Sequence, residues 1–259
     1  MDEADVRQKA RAFVAKVDVS NIREDLSPYL TAANAKVKKD ELGEGESGYT
    51  VTKPNGKHII TVNYLETDER QRFTVCHEIA HIVLGLESSH EEVSSWSYAK
   101  RHPNEIACDT FASELLMPYQ QWLSAVPKEE PSLELIQHMA DLFGTSFPAA
   151  ASRFASLSDM PCAFVTMERG AVRYAARSTA LRQAGCWIPP RSVIPAGSVA
   201  HQIRSSGKNA TETGKFHRTS GSTTGKRALT SGSFQDITCA PTLPSPCYGS
   251  IVTIYLCWR

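Results

Sequence analysis

The sequence has no charge of one sign to spare. Lys plus Arg and Asp plus Glu number 28 each, so no global field directs the chain to nucleic acid or to a membrane surface. No stretch nears the roughly 18 consecutive apolar residues of a membrane-spanning helix. The opening residues, MDEADVRQKA, lack the apolar core of a secretion signal. The seven cysteines are odd in number and never spaced as C-x-x-C, which fits reduced thiols and not a disulfide framework. These absences lead us to expect a cytoplasmic protein in which the sequon Asn209-Ala210-Thr211 is inert. What is present is a globular mixture: 41% apolar and 22% charged residues over 259 positions, enough for one large core or two medium ones.

Periodicity along the chain changes once. Val6, Ala10, Phe13, Val14 and Val17 predict an amphipathic helix over 4–17, and a second helix is expected over 21–35. YTVTKPNGKHIITVN (49–63) reads as a hairpin around Pro54-Asn55-Gly56, with HIITVN its stronger strand. A helix follows and stops at Gly85. Polar loop is expected over 88–102, then a helix from Pro103 to the Met117-Pro118 break. Residues 131–158 predict two helices around the Gly144–Ser146 turn. Beyond that the texture is β-rich: a hairpin over 162–176 around Arg169-Gly170, and a terminal strand over 248–258. The Gly-, Ser-, Thr- and Lys-rich stretch 204–233 is expected to be a mobile loop. The fold class is α+β, helix-rich to about 158 and strand-rich from 161.

The chemistry concentrates in RFTVCHEIAHIVLG (72–85), whose centre reads His77-Glu78-Ile79-Ala80-His81. Residues four apart stack on one helix face, so both imidazoles can meet one ion, with Glu78 on the adjoining face. At this composition the pattern is expected about 0.02 times by chance, so it alone does not decide. Further along, NEIACDTFASELLMP places Glu105 and Asp109 four apart on a second helix. Two histidines and a carboxylate are the ligand set of catalytic zinc sites, which keep a fourth position for water. His77, His81 and Glu105 are therefore the expected ligands. Asp109 is the expected acceptor of a ligating histidine's free N–H, and Glu78 the expected general base. Glu105 with Asp109 behind it resembles the arrangement of thermolysin-type peptidases. Burying Glu78 and two imidazoles in so apolar a helix would be costly without a partner.

The successive blocks HIITVN, RQRFTVCHEIAHIVLG and NEIACDTFASELLMP, over about 58–118, resemble the signatures of the ImmA/IrrE metallopeptidases. ADLFGTSFPAAASRF is similar to the helix-turn-helix-like piece that follows them in that family, and PCAFVTMERGAVRYAARS to the GAF-like sensory domain of its IrrE branch. The resemblance implies a zinc metallopeptidase domain over 1–128, a helix-turn-helix-like segment over 129–158, and a smaller α/β GAF-like sensory domain over 161–259. It also implies the activity: a zinc-dependent endopeptidase, with manganese as the other candidate metal, that cuts a helix-turn-helix repressor and releases stress- or DNA-damage-response genes. The strand HIITVN is expected to lie beside the cleft and pair with an extended substrate segment, as an edge strand can.

The rival reading is a regulator that binds DNA or a partner protein through its C-terminal half, with a purely structural metal. An intact Glu78 argues against it, since a structural site needs no base. Other features are read as bland. Cys76 and Cys108 are read as small buried residues, and His90 and His102, loop histidines of which one could polarise a scissile carbonyl but which are more often solvated, are left unassigned. GSTTGK (221–226) is one residue short of a phosphate loop between its glycines and has Arg227 where Ser or Thr belongs. Residues 204–227 carry six cations against Glu212 alone, read as a solvated loop. Arg153 is the only cation in 147–158, so that helix is not expected to read DNA.

Overall fold

The structure is a computed structural model that describes residues 1–17, 23, 25–87, 102–127, 132–168, 170–183, 188–193, 201–202, 205, 212–216, 234–239 and 251–258. The chain divides into two compact units, Met1–Glu129 with Gln137–Ala149, and Glu130–Ile136 with Ala150–Arg259.

In the first unit, helices begin where side chains supply the acceptors that a helix start lacks. The Asp2 carboxylate accepts from the Asp5 N–H at 2.8 Å and opens α1 (Glu3–Val14). The Thr67 hydroxyl accepts from the Arg70 N–H and opens α3 (Asp68–Leu84), whose first turn carries Asp68 and Glu69 toward the positive helix end. Pro103 occupies the first turn of α4 (Pro103–Leu116), and the His102 Nδ1 accepts from the Asn104 N–H at 3.3 Å. His102, left unassigned from the sequence, is thus a helix cap. His90 and all of the expected 88–102 loop before residue 102 lie outside the described residues, as does the GSTTGK stretch.

The second expected helix is shorter than its pattern suggested. Only α2 (Ser27–Ala32) is helical, and Ala35–Asp40 is a strand, β1. With β2 (Gly48–Thr52) and β3 (His58–Asn63) it forms a sheet of order β1-β3-β2, parallel between β1 and β3 and antiparallel between β2 and β3. The expected hairpin is β2–β3, closed by the Lys53 N–H donating to the Lys57 carbonyl at 2.8 Å. HIITVN is not at an edge. As β3 it is hydrogen-bonded on both sides, and among the described residues the edges are β1 and β2. Its composition explains this: Ile60, Thr61, Val62 and Asn63 are all buried, as in a strand covered on both faces.

α3 packs on β2 and β3 and also on α4, and α1 packs on α4. Sandwiched in this way, α3 buries residues round most of its circumference, polar Gln71, Thr74, Glu78 and His81 among them. Apolar contacts close the unit: Phe13 against Tyr29 and Phe111, and Trp122 of α5 (Tyr119–Ala125) against Phe143 of α6 (Leu133–Phe143). The Glu114 carboxylate of α4, with no exposed surface, takes hydrogen bonds from Arg7 Nη1 at 2.8 Å and Arg11 Nε at 3.4 Å, tying α1 to α4.

The two helices expected over 131–158 are present as α6 and α7 (Phe147–Leu157), joined at Gly144. Arg153 of α7 is 4% exposed, so the single cation of that helix is not displayed to solvent. In the second unit, β4 (Cys162–Glu168), β5 (Ala171–Arg177), β6 (Glu212–Phe216), β7 (Phe234–Cys239) and β8 (Ile251–Trp258) form an antiparallel sheet of order β5-β4-β8-β7-β6. The Ser178 hydroxyl accepts from the Cys162 and Leu181 N–H groups, joining β4 to the start of α8 (Thr179–Gln183). The expectation of loop throughout 204–233 needs correction, since β6 lies within it and pairs with β7. At a sheet edge the ladder bonds of one neighbour hold a strand without an apolar alternation to announce it. The remainder of that stretch, apart from residue 205, lies outside the described residues.

Replacing Glu114 by Ala strips two arginines of their shared buried partner. We expect a loss of about 2–4 kcal/mol, read from the urea unfolding midpoint. Removing the exposed Glu3 carboxylate, which also meets Arg7, should leave the midpoint nearly unchanged.

Candidate metal centre

α3 and α4 pack against each other, and the i, i+4 rows His77/His81 and Glu105/Asp109 meet at their contact. His77 Nε2 lies 3.1 Å from His81 Nε2 and 3.0 Å from Glu105 Oε2, and His81 Nε2 lies 3.7 Å from Glu105 Oε1. One donor atom from each of the three residues falls within 4.8 Å of the others. Tetrahedral zinc with bonds of about 2.0–2.1 Å holds its donors about 3.3–3.4 Å apart, so the cluster is spaced for one ion. Its chemistry agrees. Two ring nitrogens facing each other need a cation between them, whether a proton or a metal.

The opposite ring edges fix which nitrogen faces inward. His77 Nδ1 bonds Asp109 Oδ1 at 3.0 Å, and His81 Nδ1 bonds the Leu86 carbonyl at 2.9 Å. With a proton on each Nδ1, both Nε2 lone pairs point into the cluster. The Leu86 carbonyl gets there because α3 ends at Gly85, whose φ of 63° is left-handed and turns the chain back over its last turn. A residue with a β-carbon would be strained at that φ.

Electrostatics also favour a cation. Burial lowers the imidazole pKa of His77, but the hydrogen bonds to Asp109 and Glu105 outweigh it and push the value up to about 9. For His81 burial again lowers, and Cys108 and Glu105 overcome it, to about 10. Cys108 therefore touches the site through His81, although burial raises its own thiol pKa. Cys76 points elsewhere in chemical terms, since complete burial pushes its thiol up to about 12 and leaves it inert.

Every expected site residue is in this place: His77, His81 and Glu105 as the cluster, Asp109 behind His77, and Glu78 next along α3 at 4% exposure. Two contributors escaped the sequence reading. The Leu86 carbonyl is backbone and carries no side-chain signal beyond the Gly85 stop. Thr50 of β2 donates its hydroxyl to Glu78 Oε2 at 2.7 Å, a contact across 28 positions that no local spacing reveals.

Two histidines and a carboxylate brought together by two packed helices form a donor set that could hold one metal ion. Residues 32–155 match the family description "IrrE N-terminal-like domain", a peptidase family. This match over residues 32–155 supports a peptidase domain of the ImmA/IrrE type. Among solved structures, a Mycobacterium tuberculosis transcriptional regulator shares the fold, with a TM-score of 0.62 over 98% of this chain and 76% of that one at 12% identity. A comparison with curated proteins finds no match.

Glu105→Ala should abolish tight zinc binding, whereas Asp109→Ala should weaken it by about 10–100-fold, measured by competition with a chromogenic chelator. The reverse order would make Asp109 the ligand. Because the carboxylates around the metal-free site favour a proton between the two Nε2 atoms at neutral pH, zinc uptake at pH 7 should expel it. The affinity should then rise with pH, by about tenfold per unit for each proton released. Calorimetry in buffers of different ionisation heat counts those protons.

Proposed function

We propose that the protein is a zinc-dependent endopeptidase whose substrate is a helix-turn-helix transcriptional repressor of the same cell. The observation that carries the reading is the convergence of His77, His81 and Glu105 donor atoms within 4.8 Å, beside a buried glutamate. The three residues would hold the ion, zinc by this donor set, with manganese the other candidate. When bound, such an ion lowers the pKa of a coordinated water to about 7 and polarises a carbonyl oxygen. The Glu78 carboxylate takes the proton from the attacking water and passes it to the leaving amine nitrogen. Asp109 and the Leu86 carbonyl keep the two imidazoles turned inward. An extended substrate segment would pair along β2 rather than β3, because among the described residues β2 is an edge of the sheet and the strand that touches Glu78.

In this reading 1–128 is the peptidase domain, 129–158 the helix-turn-helix-like segment, and 161–259 a GAF-like sensory domain that governs when the target is cut. Cleavage of the repressor would release stress- or DNA-damage-response genes from within the cytoplasm. Among the described residues no helix is long and apolar enough to cross a membrane. Buried Arg153 supports a protein substrate over direct DNA reading by α7.

The structural neighbour, described as a transcriptional regulator, leaves a second reading in play: a DNA- or partner-binding regulator with a structural metal. Glu78→Gln separates the two. The variant should keep its zinc and fold and lose about 10²–10⁴-fold or more in cleavage of the repressor encoded beside its gene. Metal analysis and digestion are run on one sample. Equal cleavage by wild type and variant would remove Glu78 from the mechanism, and no cleavage by a zinc-loaded wild type would favour the regulator.

A further inference from the structure

We propose that Thr50 is the positioning residue for Glu78, and that β2 is fitted closely against α3 to make that contact. The inference rests on reading Glu78 as the base and adds a residue to it. The Glu78 side chain has three rotatable bonds and is 4% exposed, so bulk water does not orient its carboxylate. The Thr50 hydroxyl does, donating to Oε2 at 2.7 Å. One anchored oxygen fixes the carboxylate plane and leaves Oε1 to face the attacking water. The anchor is itself stiff. Threonine is branched at Cβ, and Thr50 lies opposite Ile60 in the middle of β3, a residue with no exposed surface.

A second observation shows how the strand comes close enough. Residues two apart on a strand share a face, so Gly48 lies on the Thr50 face, toward α3. A β-carbon at position 48 would stand 2.5 Å from Thr74 Cγ2 and 2.6 Å from the Thr61 carbonyl oxygen. Thr74 is four residues before Glu78, one turn back on the same helix face. The missing side chain of Gly48 therefore permits the close approach at Thr74 that delivers the Thr50 hydroxyl to Glu78 one turn on. Thr52, the next residue on that face, is engaged by His58 Nδ1 at 3.0 Å, so Thr50 is the β2 hydroxyl that serves the carboxylate.

The test uses the full chain, zinc-loaded, as wild type, Thr50→Val, Thr50→Ser, Glu78→Gln and the Thr50→Val/Glu78→Gln double variant. The substrate probe is the repressor encoded beside its gene, and crystal structures of the two Thr50 single variants give a readout independent of any substrate. Thr50→Val should keep its zinc and KM and lose about 10–100-fold in kcat. Thr50→Ser, which retains the hydroxyl, should recover most of that loss. The double variant should be no slower than Glu78→Gln alone, because Thr50 acts only through Glu78. In crystals the Glu78 carboxylate should stay in place in Thr50→Ser and turn away in Thr50→Val. An unmoved carboxylate in Thr50→Val would overturn the proposal. So would Thr50→Val at wild-type kcat while Glu78→Gln is inactive, or Thr50→Ser as slow as Thr50→Val. Full activity in Glu78→Gln would instead remove the underlying reading of the base, and Thr50 with it.

Discussion

A polar group taken out of water must find a partner inside the protein, and α3 takes out several at once. Packed on the sheet on one side and on α4 on another, it buries Glu78 and His81 and half-buries His77. Each of these groups draws a different element to it. His77 brings in Asp109 and Glu105 of α4, His81 brings in the turn after Gly85, and Glu78 brings in β2 through Thr50. The layered arrangement of the first unit and the geometry of the cluster are two views of one requirement. A helix so placed without these partners would carry uncompensated charge, and the partners would have no reason to converge without it.

The same requirement explains what the chain discloses as text. The helix α3, its Gly85 stop, the His77/His81 pair and the Glu105/Asp109 row are all spacings within one element, and spacing survives in a sequence. The β2–β3 hairpin shows because its turn residues sit between two β-rich runs. β1 does not show. AKVKKD has a single large apolar residue, Val37, and pairs with β3 by backbone from a sheet edge, where lysines are tolerated. Its presence moves β3 from edge to centre, which reverses the role that the apolar HIITVN suggested for itself. β6 is hidden for the same reason. The Thr50–Glu78 bond and the Leu86 carbonyl are hidden for another: each joins elements through a contact that has no counterpart in the order of residues.

Division into two units gives the chemistry a compact address. Every residue assigned a part in the site, from Thr50 to Asp109, belongs to the unit Met1–Glu129 with Gln137–Ala149. Within it, the Glu114 pairing with Arg7 and Arg11 fixes α1 to the far end of α4, so the N-terminal helix braces the element that supplies the carboxylates. Among the described residues, the cluster's donor atoms all come from the first unit.

The two imidazoles are oriented by unlike means, and that difference bears on how the site can change over generations. Asp109, which turns His77, is a side chain that a single codon change removes. The group that turns His81 is a main-chain carbonyl, which every amino acid possesses, so no substitution at Leu86 deletes it. Drift can thus loosen one histidine while the other keeps its tautomer for as long as Gly85 holds the turn. A substitution at position 109 deletes one orienting group outright, whereas the other is lost only through a change of backbone path, such as a side chain at position 85 would force.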